Sequence, residues 1–295
     1  MVIGNHKGGS GKSTLAMHMI IALLKAGRRV ASIDLDFQQR TLTRYIENRR
    51  EWAQQNNVEL EIPKHRCIET LYSDDADRND SAHVTILTAA LTALQSDFDF
   101  VIIDTPGGSG YLSRIAHAMA DTLVTPVNDS FVDLDVLFSM GPSSEFPPAR
   151  ARYAQTVAMA AEARRTLTKV HTDWIVVRNR MSPLATRSGR QIARALELMA
   201  EQGGFRTAPG LLERVVYREF FPVGLTAFDP LQEALLGVKP NISHLMARQE
   251  VRDLVARIGL LAPNEQTIQH GPTEADESND PDLGHSPFSE IAVAR

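Results

Sequence analysis

Three observations predict an α/β protein built on a doubly wound, mostly parallel sheet with helices on both faces. A glycine- and lysine-rich loop at residues 5–14 joins a short apolar run to a long helical pattern. Two further apolar runs, 29–36 and 98–104, end in aspartates. Apolar runs then alternate with helix-spaced segments as far as Ile258. Parallel strands linked by crossover helices need that alternation.

Composition narrows the classes. With 295 residues and 43% hydrophobic content the chain can bury a solid core, and a single cysteine, Cys67, excludes an internal disulfide and a cysteine-held iron–sulfur cluster. The nine histidines show no metal-ligand spacing. No signal-like segment opens the chain and no run reaches the roughly 20 apolar residues that span a bilayer, so a cytoplasmic location is expected. Residues 263–295 carry seven acids and one base; taking that −6 from the chain's −5 leaves +1 for residues 1–262. The expected division is therefore a folded unit over 1–262 and an acidic, disordered tail over 263–295.

The loop reads Asn5-His-Lys-Gly-Gly-Ser-Gly-Lys-Ser-Thr14. Glycines at Gly8, Gly9 and Gly11 let backbone N–H groups turn towards an anion, and the helix opening at Lys12 adds the positive end of its dipole. Ser10 completes the cradle. Lys12 is placed to reach the outer phosphates of a nucleotide, and the Ser13 hydroxyl to meet magnesium. Only Val2–Gly4 precede the loop, a short first strand that suggests a few residues are missing upstream.

In chain order, Leu15–Ala26 has helical spacing and stops at Gly27. Arg29–Asp36 reads as a buried strand delivering Asp34 and Asp36 to its carboxyl end, where ligands bind in open α/β sheets. A polar helix is expected over Thr41–Gln55, irregular structure over 56–83 with the charged run Ser73–Ser81 as a surface loop, and a helix over Val84–Gln95. Phe98–Asp104 is a second buried strand, with Asp104 placed to hold magnesium through a water and Thr105-Pro-Gly-Gly108 as a phosphate-sensing turn. Strands follow at Asp121–Val127 and Asp173–Arg180, helices at Arg150–Leu167, Ser188–Gln202 and Ile242–Ile258. Pro142–Pro148 marks a loop, Val215–Tyr217 an edge strand, and Phe220–Thr226 a loop packed by its own aromatics. Asn179 ends a strand where its amide can meet a base, and the absence of an Asn-Lys-x-Asp string favours adenine.

The extra lysine, Lys7, just before the glycines resembles the deviant Walker A loop of the ParA/MinD-type ATPases. The strings NDSFVD (128–133), VVRNR (176–180), GFR with PGLLERVVYREFFPVGLT (204–226) and HLMARQEVR (244–252) further resemble the MipZ family of division-plane regulators, over about residues 2–260. That resemblance implies an ATP-dependent homodimer with slow ATPase activity. Lys7 would reach the partner's nucleotide and Lys12 its own; Gly8 would allow two loops to meet face to face. Ser13 and Asp104 would serve magnesium, Thr14 the α-phosphate and Asn179 adenine. Asp36 would orient the attacking water with Asp34 as its support. The resemblance also implies non-specific DNA binding by the dimer, a ParB-like partition protein and a tubulin-like FtsZ-type division protein as partners, and a nucleoid-associated or polar location.

Residues 178–218 contain eight arginines against three glutamates. Arg187, Arg190 and Arg194 are spaced to share one helix face, and with Arg214 and Arg218 they form the expected phosphate-backbone surface. On charge alone the same pattern is a solvated helix with local pairs such as Arg190 or Arg194 with Glu197; the resemblance is what favours DNA. Two other functions stand beside this one. A MinD-like membrane-cycling ATPase would need a basic amphipathic C-terminal helix, which Ser286–Arg295 does not provide. A metabolic P-loop ligase of the dethiobiotin-synthetase type would share the loop and the aspartates but need a small-molecule pocket.

Overall fold

The computed structural model describes residues 1–69, 76–138, 150–237 and 239–261. Seven strands form one parallel sheet in the order β3-β2-β4-β1-β5-β6-β7. They are β1 (Val2–Ile3), β2 (Val30–Asp34), β3 (Lys64–Cys67), β4 (Phe100–Asp104), β5 (Thr122–Asn128), β6 (Asp173–Asn179) and β7 (Arg206–Ala208). The doubly wound architecture expected from the alternating runs is thus present. β1 has two residues yet lies between β4 and β5, with Val2 in register with Ile103 and Leu123. Its neighbours extend the pairing: Ile103 N–H donates to the Met1 carbonyl, Thr105 N–H to Ile3, and Gly4 N–H to Val124.

Alternation along the strands sends side chains to two cores. Ile3, Val30 and Ile102 join one side; Val2, Ala31 and Ile103 join the other. The first face is covered by α1 (Lys12–Lys25), α2 (Thr41–Asn56), α8 (Val216–Val223) and α10 (Ile242–Ile258). The second is covered by α3 (Ala76–Gln95), α4 (Tyr111–Met119), α6 (Arg152–Thr168) and α7 (Arg187–Gly203). Two short helices, α5 (Phe131–Leu134) and α9 (Glu233–Leu236), complete the chain. Helix α1 is buried continuously from Leu15 to Leu23, wedged between the sheet and its helical neighbours. No helix among the described residues is long and apolar enough to cross a membrane.

Several expectations are corrected. Val215–Tyr217 is not an edge strand: Val216 and Phe220, four apart, are both buried while Val215 is exposed, which is a helical pattern, and α8 replaces the expected aromatic loop as far as Gly224. Gly224 closes it with φ +66°, and a Cβ there would lie 2.1 Å from the Arg49 nitrogen. The edge position belongs to β7. Residues 56–83 are not irregular throughout, because β3 forms there; as the opposite edge its alternation of exposed and half-buried polar residues hides it from an apolar search. The charged run is helical from Ala76 on. Residues 73–75, the 142–148 loop and the tail from 263 lie outside the described residues.

One buried ion pair ties the α2 face together. Arg49 and Asp229 are both fully buried and meet bidentately at 2.7 and 2.8 Å. The guanidinium also donates to the carbonyls of Glu61 and Gly224, and the carboxylate accepts the backbone N–H and hydroxyl of Thr226. The Thr226–Asp229 turn then reaches α1, where Ala227 N–H donates to His18 and the His18 ring bonds the Thr14 carbonyl. The phosphate-loop helix is thereby fixed to the C-terminal helices.

Candidate nucleotide site

Residues 4–11 leave β1 and wrap the N-terminus of α1. Gly9 and Gly11 have φ of +72° and +88°, conformations that favour glycine, and a Cβ on Gly11 would lie 2.2 Å from the Asn179 amide nitrogen. The helix has no side-chain cap at Gly11, so its first N–H groups stay available to an anion. A cleft of about 570 Å³ opens in front of it, between the loop, residues 36–41 and Thr105–Gly107. That is a ligand-sized volume. Gly107 backs directly on Gly8, since a Cβ on Gly107 would fall 3.2 Å from the Gly8 nitrogen, and Gly108 N–H donates to the His6 carbonyl at 2.6 Å. The loop before α1 and the Thr105–Gly108 turn are therefore one packed unit.

The two lysines are held differently. Lys12 is buried and its ammonium donates to the Lys7 carbonyl at 3.0 Å. Burial lowers its pKa, against the pull of Asp104 and Asp36. Lys7 points away from its own cleft: its ammonium donates to the Val132 carbonyl at 2.8 Å and pairs with Asp133 at 2.9 Å, both on α5.

Three aspartates stand at the carboxyl ends of β2 and β4. Asp104 is buried, and its pKa is pushed up to about 8, chiefly by burial and then by Asp34, opposed by the Ser13 hydroxyl and Lys12. Its Oδ1 has no hydrogen-bond partner among the described residues. An orphaned buried carboxylate oxygen beside a serine hydroxyl suits magnesium or one of its waters. Among the described residues there is no cluster of three carboxylate, imidazole or thiol ligands. Asp34 is fully buried and saturated by hydrogen bonds from Asp36 N–H and from the N–H and hydroxyl of Thr43. Asp36 is half-exposed at the cleft wall, its Oδ1 accepting Gln39 N–H.

Asn179 donates its amide to the Ser10 carbonyl at 2.8 Å, so it braces the loop. It also lines a second cavity of about 130 Å³ with Thr14, Leu211, Tyr217 and Arg218. Arg180, in a left-handed conformation at φ +52°, borders both cavities, a position that its place in the arginine count did not reveal.

The arginine surface is smaller than expected. Arg187, Arg190 and Arg194 are exposed along α7, and among the described residues none of them pairs with a carboxylate. The Arg190 guanidinium donates to the Ala185 carbonyl, and among the described residues neither it nor Arg194 pairs with Glu197. Arg214 does not belong to a phosphate-binding surface. Its guanidinium is largely buried against Glu250 at 2.6 and 2.8 Å. Arg218 is exposed and borders the second cavity.

A model of the family described as ATPase MipZ matches residues 1–262. Among curated proteins, the septum site-determining protein MinD of Helicobacter pylori is 33% identical over 152 residues, covering 46% of this chain and 56% of the relative. The sporulation initiation inhibitor Soj of Bacillus subtilis is 25% identical, covering 46% of this chain and 61% of the relative. The matched stretch is thus little more than half of each relative's length. Among solved structures, Cyanothece McdA in an ATP complex superposes with a TM-score of 0.59 at 19% identity, over 92% of this chain and 97% of that one. Pyrococcus horikoshii MinD in complex with Mg-ADP gives 0.55 at 16% identity, over 90% and 97%. At those identities the likeness is one of fold.

Proposed function

The chain belongs to the MipZ family of ATPases, and from that premise we propose that it is an ATP-dependent dimerising switch that hydrolyses ATP slowly and binds DNA without sequence preference as the ATP dimer. The observation that carries this reading is the division of labour between the two lysines. Lys12 lies inside its own cleft, while the Lys7 ammonium is parked on α5, outside it. A lysine held outside its own cleft can serve a second copy's nucleotide once it leaves Asp133.

The chemistry assigned to the site is phosphoryl transfer to water. Lys12 and the backbone N–H groups of residues 8–14 bind and neutralise the phosphates, and Thr14 at the start of α1 faces the α-phosphate. Magnesium, held by Ser13 and through a water by Asp104, would supply further neutralisation of the phosphate oxygens. Asp36 orients the attacking water from the cleft wall. Asn179 and the cavity beside it take adenine. With little covalent chemistry for the protein to do, the rate depends on completing this arrangement, and dimerisation completes it by adding the partner's lysine.

The exposed face of Arg187, Arg190 and Arg194 supports the DNA reading, because three guanidinium groups on one helix with no carboxylate partner among the described residues suit phosphate contacts, and a dimer doubles them. A ParB-like partition protein and an FtsZ-like division protein are proposed as partners on the family alone, with division-site placement as the output.

The test is retention on random-sequence DNA at fixed low salt with a slowly hydrolysed ATP analogue and then with ADP, while light scattering reports mass. Doubled mass and retention with the analogue only are expected. A protein that stays monomeric and ignores DNA in both states would refute the switch.

A further inference from the structure

The turn that carries Asp36 is anchored from beneath by side chains that the proposed reaction does not otherwise use. We propose that a one-way hydrogen-bond chain, Ser32 to His65 to Thr43 to Asp34, fixes the backbone of Asp36, and that His65 and Thr43 are positioning residues for ATP hydrolysis. This rests on the water-orienting role proposed for Asp36.

The direction of the chain is forced by its last member. The carboxylate of Asp34 only accepts, so the Thr43 hydroxyl gives its single proton to Asp34 Oδ2, at 2.8 Å. Thr43 Oγ1 must then accept from His65, whose Nε2 lies 2.9 Å away, so Nε2 carries the ring hydrogen. Nδ1 is therefore bare and accepts from the Ser32 hydroxyl, at 2.8 Å. Register explains the alignment: Ser32 stands opposite His65 and Asp34 opposite Cys67 where β2 pairs with β3.

Asp34 passes this order on to the site. Its Oδ1 accepts the Asp36 N–H at 2.9 Å, and Oδ2 also accepts the Thr43 N–H at 3.0 Å. Thr43 is the third residue of α2, whose N–H has no partner within the helix, and the helix receives no side-chain cap from Arg40. Asp34 takes the place of that cap, with its charge at the positive end of the helix dipole. One carboxylate therefore holds both ends of the 36–43 segment. Between them the Asp36 carbonyl accepts Arg40 N–H and its Oδ1 accepts Gln39 N–H, so the aim of the Asp36 carboxylate follows the clamp. Ser32 and Asp34 are fully buried and Thr43 nearly so, which leaves no water to replace a lost bond. Burial pulls the His65 pKa down to about 4, which keeps the ring neutral, as the chain requires.

Two measurements test this in the full-length protein. Nitrogen shifts of histidine-labelled protein are expected to show His65 as the Nε2–H tautomer from pH 5.5 to 8; an Nδ1–H ring, or titration near 6.5, would overturn the chain. In steady-state kinetics Thr43→Val should lower kcat about tenfold and move the KM for ATP less than twofold, with Thr43→Ser restoring most of the rate. In an Asp36→Ala background Thr43→Val should cost nothing further. Normal hydrolysis by Asp36→Ala alone would instead defeat the role of Asp36. If Asp36→Ala stops hydrolysis while folded Thr43→Val keeps its kcat, the positioning chain is wrong. Should Thr43→Val not fold, Ser32→Ala is read the same way, with a two- to fivefold loss of kcat expected and an unchanged kcat refuting the chain.

Discussion

If Lys7 serves a partner's nucleotide, it must first leave Asp133, and the strength of that contact sets part of the dimerisation constant. The ammonium lies 2.9 Å from Asp133 and 2.8 Å from the Val132 carbonyl, with side-chain exposures of 33% for the lysine and 16% for the aspartate. At an effective dielectric of about 20 the bare attraction is about 6 kcal/mol, and resolvation of two partly exposed charges offsets most of it. A net of about 1 kcal/mol per pair is reasonable, at the upper end for exposed pairs. A dimer releases two such lysines, so Asp133→Asn should tighten ATP-dependent dimerisation by about 2 kcal/mol, or about 30-fold. Sedimentation equilibrium with a slowly hydrolysed analogue reads this directly. The advantage should shrink as salt rises, because salt weakens the wild-type contact. In a Lys7→Ala background the same substitution should do nothing, since there is no lysine to release. A dimerisation constant that is unchanged or weaker in Asp133→Asn alone would refute the argument.

Gly8→Val should bind the ATP analogue within about twofold of wild type yet fail to dimerise: a Cβ at Gly8 meets nothing within 4 Å in the monomer, so any block must come from a second copy. Light scattering that still finds the nucleotide-dependent dimer would contradict the face-to-face model. Asp229→Ala should cost about 3–5 kcal/mol by stranding the fully buried Arg49, lowering the melting temperature by about 6–20 °C; a drop below 2 °C would mean that water reaches the guanidinium. His18, buried with its pKa pulled down to about 4, contributes stability that is fully present above its unfolded value near 6.5 and is lost as the pH falls towards 4. The stability gap between wild type and His18→Asn should therefore shrink by up to about 3 kcal/mol between pH 7 and pH 4 in urea titrations, and a constant gap would place a charged ring in the core. Replacing Arg190 and Arg194 together by alanine should weaken retention on DNA of every sequence and flatten its salt dependence; unchanged retention would move the surface off α7.

What could be read before the fold was known is what is written in consecutive residues. The loop before α1, the strand ending in Asp104 and the last helix are local patterns, and each element is where the sequence places it, while the strand expected over Arg29–Asp36 stops two residues earlier, at Asp34. β3 escaped because an edge strand need not be apolar, and α8 because three residues of high strand propensity sit where tertiary packing selects a helix. The arginine count failed for a related reason. Arg178, Arg206 and Arg214 are neutralised by Asp129, Asp173 and Glu250, partners 49, 33 and 36 residues away. A window of charges sees none of them. The chain from Ser32 to Asp34 was equally hidden, since it crosses between two strands and a helix and uses residue types common on any surface.

The three site aspartates show how solvation decides roles that sequence alone leaves open. A divalent ion, or a water bound to it, is best met by a carboxylate oxygen that nothing else satisfies. Asp34 cannot provide one without losing bonds from Asp36 and Thr43 that hold the start of α2, and it has no exposure through which water could compensate. Asp104 is as buried, but keeps an oxygen with no partner among the described residues and a pKa raised to about 8, so in the absence of an ion its charge is poorly supported. A cation there relieves the most strained charge in the site. Asp36 alone stands half-exposed at the cleft wall, where it can hold a water without being desolvated. The alternating aspartates of β2 thus divide into one that shapes the loop and one that meets solvent. A magnesium ion is proposed to sit by Asp104, on the strand next to them, because its Oδ1 is the buried carboxylate oxygen that the described residues leave without a partner.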